Sequence, residues 1–240
     1  KNFRPKGIKN YFDTFHIKNT KKIKKLILRK LSKKKINKEL ISFLKNKKFL
    51  ALYLKKGNND INDLDASNSR QTSNIKIIKE IAKYLKKKKI KLMIYGSKNE
   101  KVIKEIKNIL NNDYKNIFFL CDLIKKYTLQ DQIYAAHKSL GYIGSSTGLA
   151  PFFYFLRKKQ VALNLFKSKI TRFYSHDLRY DSKLNYYIYK KIKIGNSKSF
   201  KVLTEKDIEY VYNKNIKYKI KEATNNEIKK AIKKNFKINA

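Results

Sequence analysis

The chain has 240 residues, a formal net charge of +42 and 42% hydrophobic residues. That apolar share is enough for a substantial core and excludes a globally disordered chain, and the lack of any stretch of about 18 apolar residues excludes a membrane-crossing helix. The 60 Lys and Arg against 18 Asp and Glu invite a nucleic-acid reading, but lysine supplies nearly all of the charge and is spread over every predicted helix. A dedicated nucleic-acid site concentrates arginine and aromatics on one face, so no specific nucleic-acid partner is expected. The charge does imply a surface that attracts phosphates and anionic headgroups, with an attraction that salt screens.

In chain order, residues 1–47 read as a basic linker or the remnant of an amino-terminal region. One helix is expected near 21–30, and Ile36, Leu40, Ile41 and Leu44 make a helical stripe. The chain begins at Lys1 without a methionine and is expected to be a fragment. Residues 48–240 read as a single domain. Apolar runs at 49–54, 90–95, 116–121, 140–143 and 160–165 read as strands, and the last residue of the third run, Cys121, as a buried thiol. Helical patterns of about a dozen residues separate them. Capping boxes open several of the helices: Ser97 with Glu100, Thr128 with Asp131, Thr204 with Asp207 and Thr224 with Glu227. Residues 168–199 read as a Tyr- and Lys-rich surface excursion, with Tyr186, Tyr187 and Tyr189 as half-buried strand residues, and 216–220 as a sixth strand. The alternation predicts an α/β fold, a Rossmann-like doubly wound parallel sheet with right-handed crossovers.

The turn Gly144-Ser145-Ser146-Thr147-Gly148-Leu149 lies between the fourth strand and the apolar helix at 150–156. A strand, a small-residue turn and a helix start together offer backbone N–H groups to an anion, and two glycines let a phosphate approach closely. The same residues also suit a tight turn in which one hydroxyl caps the helix. If the strands take the order 3-2-1-4-5-6, ligands bind at the carboxyl ends of strands 1 and 4. Strand 1 ends at Lys55-Lys56-Gly57, so a cationic loop and a hydroxyl-rich turn would meet there and favour a diphosphate. No Gly-Lys-Ser/Thr follows at Walker spacing and no Gly-x-Gly-x-x-Gly follows strand 1, which removes most support for an ATPase or a nicotinamide enzyme. No Asp-x-Asp stands near a strand end, so no metal is expected; Asp60, Asp63 and Asp65 read as a solvated loop. His137, late in its helix, reads as a dipole partner. His176 and Asp177 are chain neighbours that rarely face each other.

From Tyr134 through the Gly144 turn and Pro151 to Asn164, the chain resembles the carboxyl-terminal domain of bacterial GT-B glycosyltransferases, in particular those of surface-polysaccharide loci. The family pattern is matched at Lys55-Lys56-Gly57, Arg70, Asp131, Gly144 to Leu149, Pro151 and Asn164, over roughly residues 48–236. The resemblance implies that Lys55, Lys56, Gly57, Arg70 and the turn residues Gly144, Ser145, Ser146, Thr147, Gly148 and Leu149 hold the diphosphate of a nucleotide sugar. Asp131 and Asn164 are weaker candidates, Asp131 because it also completes a capping box. The family's arginine in the first loop is a lysine here, so a bidentate clamp becomes a point charge. Heptosyltransferases, which are related, carry an Asp and a His where this chain has Ser146 and Pro151; that departure weakens a heptose donor.

The resemblance therefore implies a transferase that moves a sugar from a nucleotide-sugar donor to a glycan or glycolipid acceptor. It would need no cofactor beyond the donor and would work in the cytoplasm beside the inner face of an anionic membrane. The catalytic base is not identifiable, and the resemblance implies an amino-terminal domain for the acceptor, most of which is expected to lie outside this chain. Two other readings stay open: a non-enzymatic polyanion-binding module and an inactive transferase-like domain.

Overall fold

The computed structural model describes residues 21–33, 35–57, 60, 72–110, 115–124, 128–145, 149–167 and 184–238. Among the described residues, six strands build the main sheet: β1 (Phe49–Tyr53), β2 (Lys91–Ile94), β3 (Ile117–Phe119), β4 (Gly141–Gly144), β5 (Lys159–Leu165) and β6 (Asn185–Tyr189). All neighbours are parallel, in the order β3-β2-β1-β4-β5-β6. The helices are α1 (21–32), α2 (Lys38–Leu44), α3 (Ile77–Lys87), α4 (Lys101–Leu110), α5 (Leu120–Leu123), α6 (Leu129–Lys138), α7 (Ala150–Phe155), α8 (Glu205–Lys214) and α9 (Asn225–Phe236).

The period-2 geometry of β1 shows why both faces of the sheet carry helices. Leu50 and Leu52 point to one side, where they pack with Ile78, Ile81, Ile103, Ile106, Ile228 and Ile232 of α3, α4 and α9. Phe49 and Ala51 point to the other, against Leu40, Leu44, Ala135 and Phe153 of α2, α6 and α7. Ile27 and Leu28 of α1 pack on that second side. The stripe read at residues 36–44 is thus a helix whose Leu40 and Leu44 are buried in the domain core. The capping boxes at Thr128, Thr204 and Thr224 form with both hydrogen bonds in place.

Three expectations are corrected. The sixth strand of the main sheet is Asn185–Tyr189, within the stretch read as an excursion; its Tyr186, Tyr187 and Tyr189 are half-buried as expected. The run read as the sixth strand belongs instead to a small antiparallel sheet of β7 (Lys191–Ile194), β8 (Lys201–Val202) and β9 (Tyr218–Lys221), ordered β8-β7-β9. Along β9, Tyr218 and Ile220 are half-buried while Lys219 and Lys221 are exposed. That alternation marks a strand with one wet face, unlike a central parallel strand. With α8 this sheet encloses a satellite core of Phe166, Ile192, Leu203 and Val211. The third strand also ends early. Leu120 and Cys121 begin the short α5, because a brief apolar run satisfies either period.

Candidate functional site

β1 and β4 are neighbours, with Tyr53 opposite Gly144, so the sheet reverses direction of growth between them. At their carboxyl ends the chain is tightly tied. The Ser145 N–H donates to the Tyr53 carbonyl at 3.1 Å, and the Lys55 N–H donates to Ser145 Oγ at 3.3 Å. The Tyr142 hydroxyl donates to the Ser145 carbonyl at 2.8 Å, with the Tyr53 carbonyl 3.2 Å away. Ser145 is fully buried. Gly144 has φ +153°, and a Cβ there would stand 2.0 Å from the Tyr53 carbonyl oxygen, so the close approach of the two strand ends itself requires glycine.

Beyond β1 the two lysines part. Lys56 Nζ lies 2.6 Å from Glu105 Oε1 of α4, which directs it away from β4. Lys55 is exposed, and its ammonium has no partner among the described residues. A return segment locks this loop: Thr72 N–H donates to the Lys55 carbonyl at 2.8 Å and Gly57 N–H to the Thr72 carbonyl at 3.3 Å. Thr72 Oγ1 accepts from Asn164 Nδ2 at 3.0 Å, and Asn164 Oδ1 accepts from the Ala223 N–H at 2.8 Å. Asn164 is fully buried and left-handed, at φ 57°, where β5 carries a bulge; asparagine tolerates that conformation better than most residues. Three strand ends are therefore joined through Thr72, a residue that carried no signal in the sequence.

The same edge opens into a cleft of about 730 Å³ lined by Ser73, Asn74, Phe200 and residues 219–225. Glu222 spans its floor, accepting from the Ser73 and Asn74 N–H groups at 2.8 and 3.1 Å. Behind it Lys190, fully buried, lies 3.6 Å from Glu222. Burial pushes the Lys190 pKa down while Glu222 opposes that shift. Among so many lysines, a buried one had no distinguishing mark in the sequence.

Asp131 is 3% exposed, and both carboxylate oxygens are engaged. Oδ2 accepts from the Thr128 N–H and hydroxyl, each at 2.8 Å, and Oδ1 accepts from the Asn37 N–H at 2.9 Å. It therefore caps α6 and ties the start of α2 to it. Leu149 is the N-cap position of α7 and brings no capping side chain. Arg70, Ser146, Thr147 and Gly148 lie outside the described residues, as do Asp63, Asp65, His176 and Asp177. Among the described residues no three His, Cys, Asp or Glu side chains are grouped as metal ligands, and no helix is long and apolar enough to cross a membrane.

His137 is a correction. It sits at the helix end expected of a dipole partner, but burial, then Lys158, Lys138 and Lys24, hold its pKa down at about 4, so it brings no positive charge to the dipole at pH 7.

No protein-family model and no curated protein matches the chain. Among solved structures, E. coli ADP-heptose LPS heptosyltransferase II aligns over 84% of this chain and 52% of its own, with 11% identity and a TM-score of 0.51. The E. coli heptosyltransferase WaaC with ADP (12% identity, 73% of this chain and 46% of its own, TM-score 0.36) and the Methanocaldococcus jannaschii UDP-GlcNAc 2-epimerase with UDP-GlcNAc and UDP (12%, 70% and 42%, TM-score 0.42) also align. The chain spans about half the length of the structures it matches. At such identities the likeness is one of fold: the Rossmann-like, doubly wound GT-B type of domain expected from the sequence.

Proposed function

We propose that this chain is the nucleotide-sugar-binding half of a GT-B glycosyltransferase, one that builds a bacterial surface polysaccharide or lipopolysaccharide. The observation that carries the reading is the switch-point junction, where Lys55 donates its own backbone N–H to the buried Ser145 Oγ and its ammonium has no partner among the described residues. In this reading Lys55 faces the diphosphate of the donor. Arg70, the N–H groups of Ser146, Thr147 and Gly148 and the hydroxyls of Ser146 and Thr147 would complete the cradle. The adjoining cleft has the volume to take a nucleoside. Charge builds on the leaving diphosphate as its bond to the anomeric carbon breaks, and a fixed cation there lowers the barrier. The attacking hydroxyl comes from a glycan or glycolipid, and no residue of this chain is assigned as its base. Ser146 and Pro151 argue against heptose as the transferred sugar.

The two lysines supply the test. In calorimetric titration with a panel of nucleotide sugars, Lys55→Gln should weaken binding of the preferred donor about tenfold, the scale of a charge-assisted hydrogen bond. Lys56→Gln, whose cation is already paired with Glu105, should change it by less than about twofold. Equal losses in both variants would remove Lys55 from the site.

The +42 charge favours a second reading, a polyanion-binding module without catalysis. Such a module would bind any polyanion, would lose affinity steeply with salt, and would not distinguish Lys55 from Lys56.

A further inference from the structure

Tyr142 of β4 is a buried tyrosine whose two ends meet different surroundings. Its ring lies in the apolar layer on the α6 and α7 side of the sheet, stacked on Phe153 with centroids 4.8 Å and planes 29° apart. Phe153 also makes a T-shaped contact, at 6.0 Å, with Tyr95, the residue after β2. A phenylalanine at position 142 would fill that layer equally well, so packing does not call for the hydroxyl. The hydroxyl reaches past Gly144 to the Ser145 carbonyl at 2.8 Å, with the Tyr53 carbonyl at 3.2 Å. Glycine leaves it room: a Cβ at 144 would stand 2.8 Å from Tyr142 Oη as well as against the Tyr53 carbonyl.

Ser145 carries the constraint across to β1. Its N–H donates to the Tyr53 carbonyl at 3.1 Å, and its Oγ accepts from the Lys55 N–H at 3.3 Å. Ser145 is fully buried, so what its side chain gives the site is the placement of the Lys55 backbone. Hydrogen bonds thus run from the Tyr142 hydroxyl through Ser145 to Lys55, whose ammonium has no partner among the described residues. A lysine side chain is flexible, so the root from which it reaches decides where its charge can stand. The attraction between that charge and an anion falls with their separation.

We propose that Tyr142 is a positioning residue for the donor diphosphate: its hydroxyl holds Ser145, and Ser145 holds the root of Lys55. The role rests on the reading of Lys55 as the cation that faces the diphosphate. Tyr142 itself does not touch the ligand and acts through the two residues between which the strand ends are tied.

The test compares two buried hydroxyls. Tyr95 is buried in the same apolar layer, and its hydroxyl donates to the Gln132 carbonyl of α6 at 3.3 Å. Tyr142→Phe and Tyr95→Phe each delete one such bond, and their thermal melts should fall by similar small amounts. Calorimetric titration of ADP, UDP and GDP into the full chain separates them. For a diphosphate that the wild type binds, Tyr142→Phe should weaken affinity about fivefold, the scale of one hydrogen bond, and Tyr95→Phe less than about twofold. Ser145→Ala removes the acceptor of the Lys55 N–H and should cost a similar factor, which keeps the test decisive if Tyr142→Phe fails to fold. A cycle with Lys55→Gln adds a readout that a merely structural role would not move. If Tyr142 acts through Lys55, the double variant should bind little worse than Lys55→Gln alone, whereas independent effects would multiply. Equal losses for Tyr142→Phe and Tyr95→Phe, or losses that multiply in the cycle, overturn the role and leave Lys55 in the site. Absence of binding by the wild type overturns the role together with the function proposed above, so the two failures are told apart.

Discussion

At the scale of single residues, the carboxyl ends of β1 and β4 are fixed by sterics and by hydrogen bonds that leave few substitutions open. Gly144→Ala would place a methyl 2.0 Å from the Tyr53 carbonyl oxygen and should cost about 3 kcal/mol, read as a shift in the urea midpoint. Asp131→Asn presents an amide to three donors that now share a carboxylate. It should cost about 1–3 kcal/mol, more than a capping role alone would, and leave donor binding unchanged. The His137 and Lys158 pair gives the pH dependence a sign. Folded His137 takes up its proton near pH 4 and the unfolded residue near 6.5, so stability falls as pH drops through that window. Folded Lys158 releases its proton near pH 8 and the unfolded residue near 10.5, so stability rises as pH climbs between them. Thermal melts across pH 8 to 10.5 should therefore rise more for the wild type than for Lys158→Gln.

At the scale of elements, what joins the strand ends is a relay from Lys55 through Thr72 to Asn164 and Ala223. Asn164→Ala leaves the buried Ala223 N–H without an acceptor and puts alanine at φ 57°. It should cost about 2–4 kcal/mol and speed hydrogen exchange at Ala223. This relay also shows where the sequence stops being readable. Strands β1, β2, β4 and β5 announce themselves as apolar runs because both of their faces are buried, and the capped helices announce themselves through Thr-x-x-Asp/Glu spacing. The Gly144 turn is equally visible, since a small-residue stretch between a strand and a helix is local. Thr72, Lys190 and Glu222 are not visible, because their roles come from partners distant in the chain: Asn164 is 92 positions from Thr72, and Ser73 is 149 positions from Glu222. β6 lies in a Tyr-rich stretch whose half-buried residues show no clean period, and β9 is set apart from the central strands only by its alternation of half-buried and exposed residues. Lys55 and Lys56 look identical in sequence; only Glu105, arriving from α4, separates them.

At the scale of the whole molecule, a net charge of +42 makes every anion a ligand to some degree, so affinity alone says little about function. Salt sorts the cases. A diphosphate held at one site by a cation and backbone N–H groups involves few charges and loses affinity gradually, whereas a polyanion spread over the lysine-rich surface loses it steeply. The most direct measurement is therefore calorimetric titration of ADP, UDP and GDP into the chain at about 0.1 M and about 0.5 M salt. If the switch point binds a nucleotide-sugar diphosphate, one of the three should bind at a single site per chain, with a loss of less than about tenfold between the two salt concentrations. Binding by none of them, or a collapse with salt that parallels a generic polyanion, would contradict the glycosyltransferase reading.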